Sequence, residues 1–446
     1  MNTKKEFIIQ KKRKIKIAFY TLGCKLNFSE TSSISRTFNK DKYTIVSFNS
    51  KADVYVINTC SVTENADKKT KSLIKLVLKK NINGFIAIIG CYAQLQTKEI
   101  SKIKGVDLVI GAKEKFKLAE YISDIYKNNL FKINSCDISK VNFFNEAYSL
   151  GENRTRAFLK VQDGCDYKCS YCTIPLARGI SRSDSIENII LNTHKIVKEG
   201  IKEIVITGVN TGDFGKRINS NKNDKANFLQ LICELDKIES IKRFRISSIE
   251  PNLLNDNIIE FVSKSKKFVP HFHIPLQSGS DKILKKMKRR YLTNLFSNRV
   301  NTIKKFMPDS CIGVDVIVGF PGESEGEFMK TYNFLSKLDV SYLHVFKYSE
   351  RHNTEALNYP NAIHEDIRKK RSKILRQLSV IKRKCFYESQ IGKKMNILFE
   401  SENKNGFIEG YTENYIKVRD YWNPNKSNTI QNRVLLSIDE MGYCRI

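Results

Sequence analysis

Between residues 15 and 350 the chain alternates short apolar runs with longer amphipathic ones, and that alternation confines it to one class of fold. Four runs come first, "IKIAFYTLG", "DVYVINTC", "FIAIIGC" and "VDLVIG", with helical patterns such as "ENADKKTKSLIKLVLKK" between them. Six more follow: "RAFLKVQDGC", "EIVITGVN", "FRISSIE", "FHIPLQS", "IGVDVIVGF" and "SYLHVFKYS", again separated by helical segments. Strands that alternate with helices make parallel sheets, because each return to the same edge needs a crossover. The first set predicts an open, mostly parallel sheet. Six β/α units in the second predict a partial barrel. The last runs, "KKMNILFE", "GFIEGYTENYIKVRDYW" and "NRVLLSIDE", alternate without helices and read as a small β-barrel similar to an oligonucleotide-binding fold. With a polar, irregular linker over 128–152, the expected division of this α/β chain is 1–135, 150–380 and 384–446.

No apolar run approaches the ~20 residues that span a bilayer. The basic start "MNTKKEFIIQKKRKIKIAFY" has neither an uninterrupted apolar segment nor a small-residue cleavage site. A cytoplasmic protein without a membrane partner is expected. Disulfides seldom persist there, so eleven cysteines point to metal or redox chemistry, or to buried thiols. The net charge of +30 suits a polyanion, nucleic acid above all. A general bias toward Lys, Asn and Ile is the competing explanation. The excess is uneven: from Phe386 to Ile446 eight basic residues meet eight acidic ones, whereas "EDIRKKRSKILRQLSVIKRKC" (365–385) has nine against two. Its Ile367, Ile374, Leu378, Ile381 and Cys385 recur at helical spacing, predicting one packed face and one basic face. "DKILKKMKRRY" (281–291) is a second basic cluster, for nucleic acid or for a solvated surface.

Cys24, Cys60 and Cys91 each follow a predicted strand of the first set. Singly, each reads as a buried thiol. All three at the carboxyl edge of one parallel sheet, where such sheets bind ligands, read as a shared ligand site. In "DGCDYKCSYCTIPLARG", Cys165, Cys169 and Cys172 form CxxxCxxC directly after the first barrel strand. Structural zinc wants four protein ligands and none completes the set nearby; His194, next in sequence, sits in a helical pattern. Three thiolates suit a 4Fe–4S cluster with one iron open to a small molecule. Cys136, Cys233, Cys311, Cys385 and Cys444 show no ligand spacing.

With that motif the chain resembles the radical S-adenosylmethionine (SAM) enzymes. "LGCKLN", "INTCSV" and "IGCYAQ" resemble the amino-terminal domain of the methylthiotransferases, and "GYTENYIKV" their TRAM RNA-binding domain. "GCKLN", "CSYCTIPLARG", "FRISSIEP" and "HFHIPLQSGSD" are most similar to the bacterial enzymes acting on threonylcarbamoyladenosine at position 37 of tRNA. Lys25 departs from the glutamine and proline usual in the isopentenyladenosine and ribosomal-protein branches. The resemblance implies methylthiolation of adenine C2 by radical chemistry, with tRNA and a reducing flavodoxin- or ferredoxin-like protein as partners. It implies two 4Fe–4S clusters, one held by Cys165, Cys169 and Cys172 and binding SAM, the other held by Cys24, Cys60 and Cys91.

For the SAM pocket the resemblance points to Tyr171 in the cysteine loop. Segments closing barrel strands supply Gly208 and Asn210 ("TGVN"), Ser248 ("SSIE"), Gln277 ("PLQSG") and Gly319 ("VGFPGE"). Small residues there let backbone approach a ligand, although the same residues are common in ordinary strand-to-helix turns. His271 and His273 are open between structural and substrate-facing roles. A terminal domain that is close to neutral overall binds RNA either through Lys417 and Arg419 gathered beside Tyr415 and Trp422, or through stacking. The rival readings are the same chemistry on isopentenyladenosine tRNA or a ribosomal protein, and a non-catalytic iron–sulfur RNA-binding protein.

Overall fold

The computed structural model describes residues 13–61, 64–128, 132–134, 138, 141, 143–151, 155–216 and 226–446. It divides into two compact units: Met1–Ser149 with Asp163–Tyr167 and Cys172–Arg182, and Leu150–Gln162 with Lys168–Tyr171 and Ser183–Ile446.

In the first unit the order is β1 (Ile15–Thr21), α1 (Lys25–Arg36), β2 (Tyr43–Val46), β3 (Val54–Thr59), α2 (Glu64–Lys80), β4 (Phe85–Gly90), α3 (Cys91–Leu95), β5 (Leu108–Ile110) and β6 (Lys132–Asn134). The sheet order is β2-β1-β3-β4-β5-β6 and every pairing is parallel. β3 and β4 are buried along their whole length, as strands covered on both faces must be. One face packs Tyr55, Ile57, Ile86 and Ile88 on Leu73, Ile74 and Val77 of α2. The other packs Val54, Val56, Ala87 and Ile89 on Ile34 of α1 and on Leu118 and Ile122. The edge strands β2 and β6 were not legible as strands: β2 has four residues, none buried, and β6 has three. The order reverses between β1 and β3. That opens a crevice outside their carboxyl ends, where such sheets bind ligands.

The second unit carries all six expected barrel strands: Arg156–Lys160, Glu203–Thr207, Arg243–Ile246, His271–Gln277, Cys311–Val318 and Tyr342–Lys347. They form a parallel arc, the third and fourth joined only by the bridges Phe244↔Phe268 and Ser248↔His273. Among the described residues the first and sixth do not pair, so the barrel stays open. Returning helices start where side chains satisfy their free amides: Ser185, Asn227, Asn255, Ser280 and Ser324 each accept from an amide of the first turn. Beyond the barrel, six strands from Lys394 to Arg445 form a mostly antiparallel sheet over Ile397, Phe399, Ile408, Ile416, Val418 and Leu435. Among the described residues, no helix is long and apolar enough to cross a membrane.

The basic segment is a helix, Glu365–Glu388, but its buried face is not the expected one. Leu378 is buried, whereas Ile367, Ile381 and Cys385 are exposed. Arg368 and Arg371 take their place. Arg368 reaches Glu350 at 2.7 Å, and Arg371 bonds Glu323 at 2.9 Å and Glu325 at 3.0 Å. Paired arginines make a buried stripe that apolar periodicity misses, because their charge is matched and their stems pack.

Candidate functional site

The three amino-terminal cysteines meet at the carboxyl edge of β1, β3 and β4, which are neighbours in the sheet. Cys24 precedes the first residue of α1, and Cys91 is the first residue of α3. Each follows a glycine at φ +98°, a conformation that side chains resist. A Cβ on Gly23 would stand 2.6 Å from the Cβ of Cys60 and 2.9 Å from its sulfur. One on Gly90 would stand 2.4 Å from Asn58 Oδ1. The turns thus pass directly over one another, which draws the cysteines together. Burial pushes the Cys91 thiol up, Arg178 and Lys115 pull it down, and the Cys24 charge pushes it up again. A gathered set of soft thiols with cations beside it fits an iron–sulfur cluster with one open iron.

Those cations belong to a buried network. Arg178 donates to Glu30 Oε1 at 3.0 Å and Oε2 at 3.0 Å, to Asp163 Oδ1 at 2.9 Å and to Asn27 Oδ1 at 2.6 Å. Lys115 Nζ donates to Glu30 at 2.6 Å, and Arg182 to Asp163 at 3.0 Å. The Asn27 amide nitrogen donates to the carbonyl of Leu22 at 2.8 Å and to that of Thr59 at 3.1 Å, beside Cys60. All five charged side chains are at most 6 % exposed. Arg178 stands within the quoted "CSYCTIPLARG", and Glu30 and Lys115 look like ordinary surface residues in sequence.

In the second unit, Arg289 Nη1 donates to the Cys169 sulfur at 3.1 Å and to the Tyr171 hydroxyl at 3.4 Å, and its other terminal nitrogen pairs with Glu250. Burial pushes the Cys169 thiol up and Arg289 pulls it down. The second basic cluster therefore divides. Lys282, Lys285, Lys288 and Arg290 face solvent, but Arg289 is turned in against a cysteine of the motif. Pairing with Glu250 explains this, and no local pattern around 289 carries it. Cys165 accepts the Tyr167 amide at 3.4 Å.

Of the candidate SAM positions, Tyr171 sets its ring edge-on to Phe320. Gly208 closes the second strand against Gln162, whose Oε1 a Cβ would meet at 3.0 Å. Asn210 is buried with neither amide atom hydrogen-bonded, an unused donor and acceptor at the strand ends. Ser248 bridges to His273 and accepts the Thr211 hydroxyl on its carbonyl at 2.6 Å. Gln277 takes φ +67° at a break in register. The Gly319 amide donates to Glu323 at 2.6 Å, and a Cβ there would meet Arg368.

The two histidines differ. His271 Nε2 lies 3.1 Å from the Tyr342 hydroxyl and its ring packs on Tyr415 at 4.4 Å, a structural placing. His273 Nε2 is 2.9 Å from Asp315 Oδ1, and His344 Nδ1 is 3.8 Å from the same atom. These groups share the strand face opposite Phe272, Ile274, Val314, Val316, Leu343 and Val345, which pack outward. They therefore stand together inside the barrel.

The expected RNA face of the terminal domain is engaged internally. Tyr415 lies under Arg245, Lys417 bonds Glu409 at 3.0 Å and Tyr443 at 3.0 Å, and the Arg419 guanidinium stacks on Tyr443 at 4.0 Å. Trp422 packs partly buried against the core. Exposed Tyr421, stacked on Phe407, is left available to solvent. The reason is Glu409, a buried carboxylate that needs cations. Cys233, Cys311, Cys385 and Cys444 stand on other helices and strands, and Cys136 is outside the described residues.

Residues 16–111 match the uncharacterized protein family UPF0004, and residues 159–335 match the radical SAM superfamily. The threonylcarbamoyladenosine tRNA methylthiotransferase MtaB of Bacillus subtilis is 42% identical over 410 residues, 90% of this chain and 89% of that protein. The tRNA-2-methylthio-N(6)-dimethylallyladenosine synthase of Sulfurimonas denitrificans is 33% identical, covering 91% of this chain and 92% of its own. In fold, the chain is similar to the radical SAM methyltransferase TsrM of Kitasatospora setae, with a TM-score of 0.56, 11% identity and 77% of each chain covered.

Proposed function

The chain belongs to the radical SAM methylthiotransferases that act on tRNA, and from that premise we propose that it methylthiolates C2 of N6-threonylcarbamoyladenosine at position 37. As a member of that family it is an enzyme that uses an iron–sulfur cluster and SAM. We assign two 4Fe–4S clusters: Cys165, Cys169 and Cys172 hold one, and Cys24, Cys60 and Cys91 the other. When bound, the first cluster and SAM would supply the radical chemistry that replacing an unactivated C2–H hydrogen requires. The chain's own part is positional. Arg289 holds Cys169, Asn210 offers its unused amide to SAM with Tyr171 beside it, and Gly208, Ser248, Gln277 and Gly319 let backbone approach. Residues 1–135, 150–380 and 384–446 are assigned to the auxiliary-cluster, radical and TRAM-like parts. Reduction by a flavodoxin- or ferredoxin-like protein in the cytoplasm completes the reading.

The observation that carries it is the gathering of Cys24, Cys60 and Cys91 at one sheet edge in a chain that also holds CxxxCxxC. For the choice of nucleoside, the barrel interior is the physical support. A threonylcarbamoyl group brings a carboxylate, a hydroxyl and a urea, whereas an isopentenyl group is wholly apolar. His273, Asp315 and His344 give that interior a polar face with donors and acceptors that suit a carboxylate, hydroxyl and urea better than an apolar chain. The test is mass spectrometry of tRNA nucleosides from a host lacking the activity, with and without this gene. A gene-dependent 2-methylthio form of threonylcarbamoyladenosine is expected. The same group on isopentenyladenosine would overturn the substrate, and no change with both clusters loaded would overturn the reaction.

A further inference from the structure

Five ionised side chains buried in one place need a reason. Lys115, Arg178 and Arg182 carry three positive charges, and Glu30 and Asp163 carry two negative ones, so the network holds a net charge of plus one. Stability does not account for it. Desolvating such groups offsets most of their attraction, and apolar side chains of similar volume commonly serve a core as well or better. The sheet beside them already closes on apolar layers.

The network touches every cysteine segment of the rim. Glu30 and Asn27 lie on α1, which begins just after Cys24. Asn27 ties the Arg178 guanidinium to the carbonyl of Thr59, the neighbour of Cys60. The helix Ile174–Arg178 packs on α3, which begins at Cys91. A 4Fe–4S core of charge plus two held by three thiolates has a net charge of minus one, and minus two after gaining an electron.

We infer that the Lys115–Glu30–Arg178–Asp163–Arg182 network is the counter-charge of the auxiliary cluster and sets its reduction potential. This rests on the assignment of that cluster to Cys24, Cys60 and Cys91. A buried positive charge favours the more negative state, so the network raises the potential, and buried charges act with little screening. Arg178 also follows Cys172 by six residues, so the segment carrying the radical-SAM motif itself supplies a charge that the auxiliary site needs. These are positioning residues: none bonds iron or substrate.

The test is a redox titration of full-length protein carrying both clusters, followed by electron paramagnetic resonance, with the radical cluster recognised by its response to SAM. Arg178→Gln removes a positive charge. The reduced-to-oxidised ratio of the auxiliary cluster at the wild-type midpoint should fall about tenfold, equivalent to about 59 mV for one electron. Glu30→Gln removes a negative charge and should raise the ratio by a similar factor. Opposite signs are what a merely structural role would not produce. Should Arg178→Gln fail to hold iron, Lys115→Met must shift in its place in the same direction. Variants that keep the cluster and titrate within twofold of wild type, or that shift together, overturn the inference. Wild-type protein with only a SAM-responsive cluster overturns instead the assignment beneath it.

Discussion

Asn210 is the residue whose environment says most about a missing partner. Its amide is buried and unengaged, so replacing it removes no bond within the protein. Asn210→Ala should therefore leave the melting temperature within a degree or two, yet weaken SAM binding about tenfold, the worth of one or two lost hydrogen bonds. Equilibrium dialysis with labelled SAM measures this, and unchanged affinity would remove Asn210 from the pocket. His344 tests the other end of the site. His344→Leu should cut methylthiolation of threonylcarbamoyladenosine by at least tenfold while SAM cleavage without tRNA persists. The six cysteines proposed as cluster ligands stand out because spacing and strand position are written in sequence. Arg289, Glu250, Glu30 and Lys115 were not. Each is defined by a partner 39 to 148 residues away, and single-sequence patterns reach only about one helical turn.

Elements were legible where apolar periodicity governs them and misread where charge replaces it. All ten predicted runs hold a strand: β3 and β4 are apolar on both faces, and the barrel strands keep an apolar outer face even where the inner one is polar. The helix Glu365–Glu388 was recognised as a helix, but its packed face was rotated by Arg368 and Arg371. The division matters for RNA. Lys369, Lys370, Lys373 and Arg376 are exposed on the same helix. A Lys369→Glu/Lys370→Glu/Lys373→Glu variant should bind tRNA more weakly at every sequence and lower the salt dependence by about one unit for each phosphate it no longer neutralises. Filter binding across a salt series measures the slope, and an unchanged slope would place tRNA elsewhere. Arg371→Met, by contrast, strands Glu323 in the core and should appear as a folding defect.

At the scale of the whole molecule, the barrel and the terminal sheet share a buried ionic joint within one compact unit. Arg245 bonds both oxygens of Glu203, at 2.9 and 3.0 Å, and reaches the Glu413 carbonyl at 3.0 Å. Arg156 pairs with Glu400 at 2.6 Å. Burial alone would raise the Glu203 carboxyl, but Arg245 and Arg156 hold it down to about 2. Its contribution is thus complete above about pH 4.5 and is lost as pH falls toward 2. Glu203→Gln should lower stability at pH 7 by about 3–5 kcal/mol, read as a lower urea midpoint, and should flatten the acid limb. Ending the chain at 388 would remove the Glu400 carboxylate from Arg156 and the Glu413 carbonyl from Arg245, and should lower the stability of the barrel. A different logic rules the first unit. Its two apolar layers lie on either face of the sheet, one of them reaching Cys60 at the rim, and they close on side chains alone. A zinc finger collapses when its metal is stripped. This rim is a socket in a wall that stands by itself, and chelation should leave the far-ultraviolet circular dichroism intact. A cluster held, as proposed, by Cys24, Cys60 and Cys91 can then be removed and rebuilt in place, without the chain having to fold again.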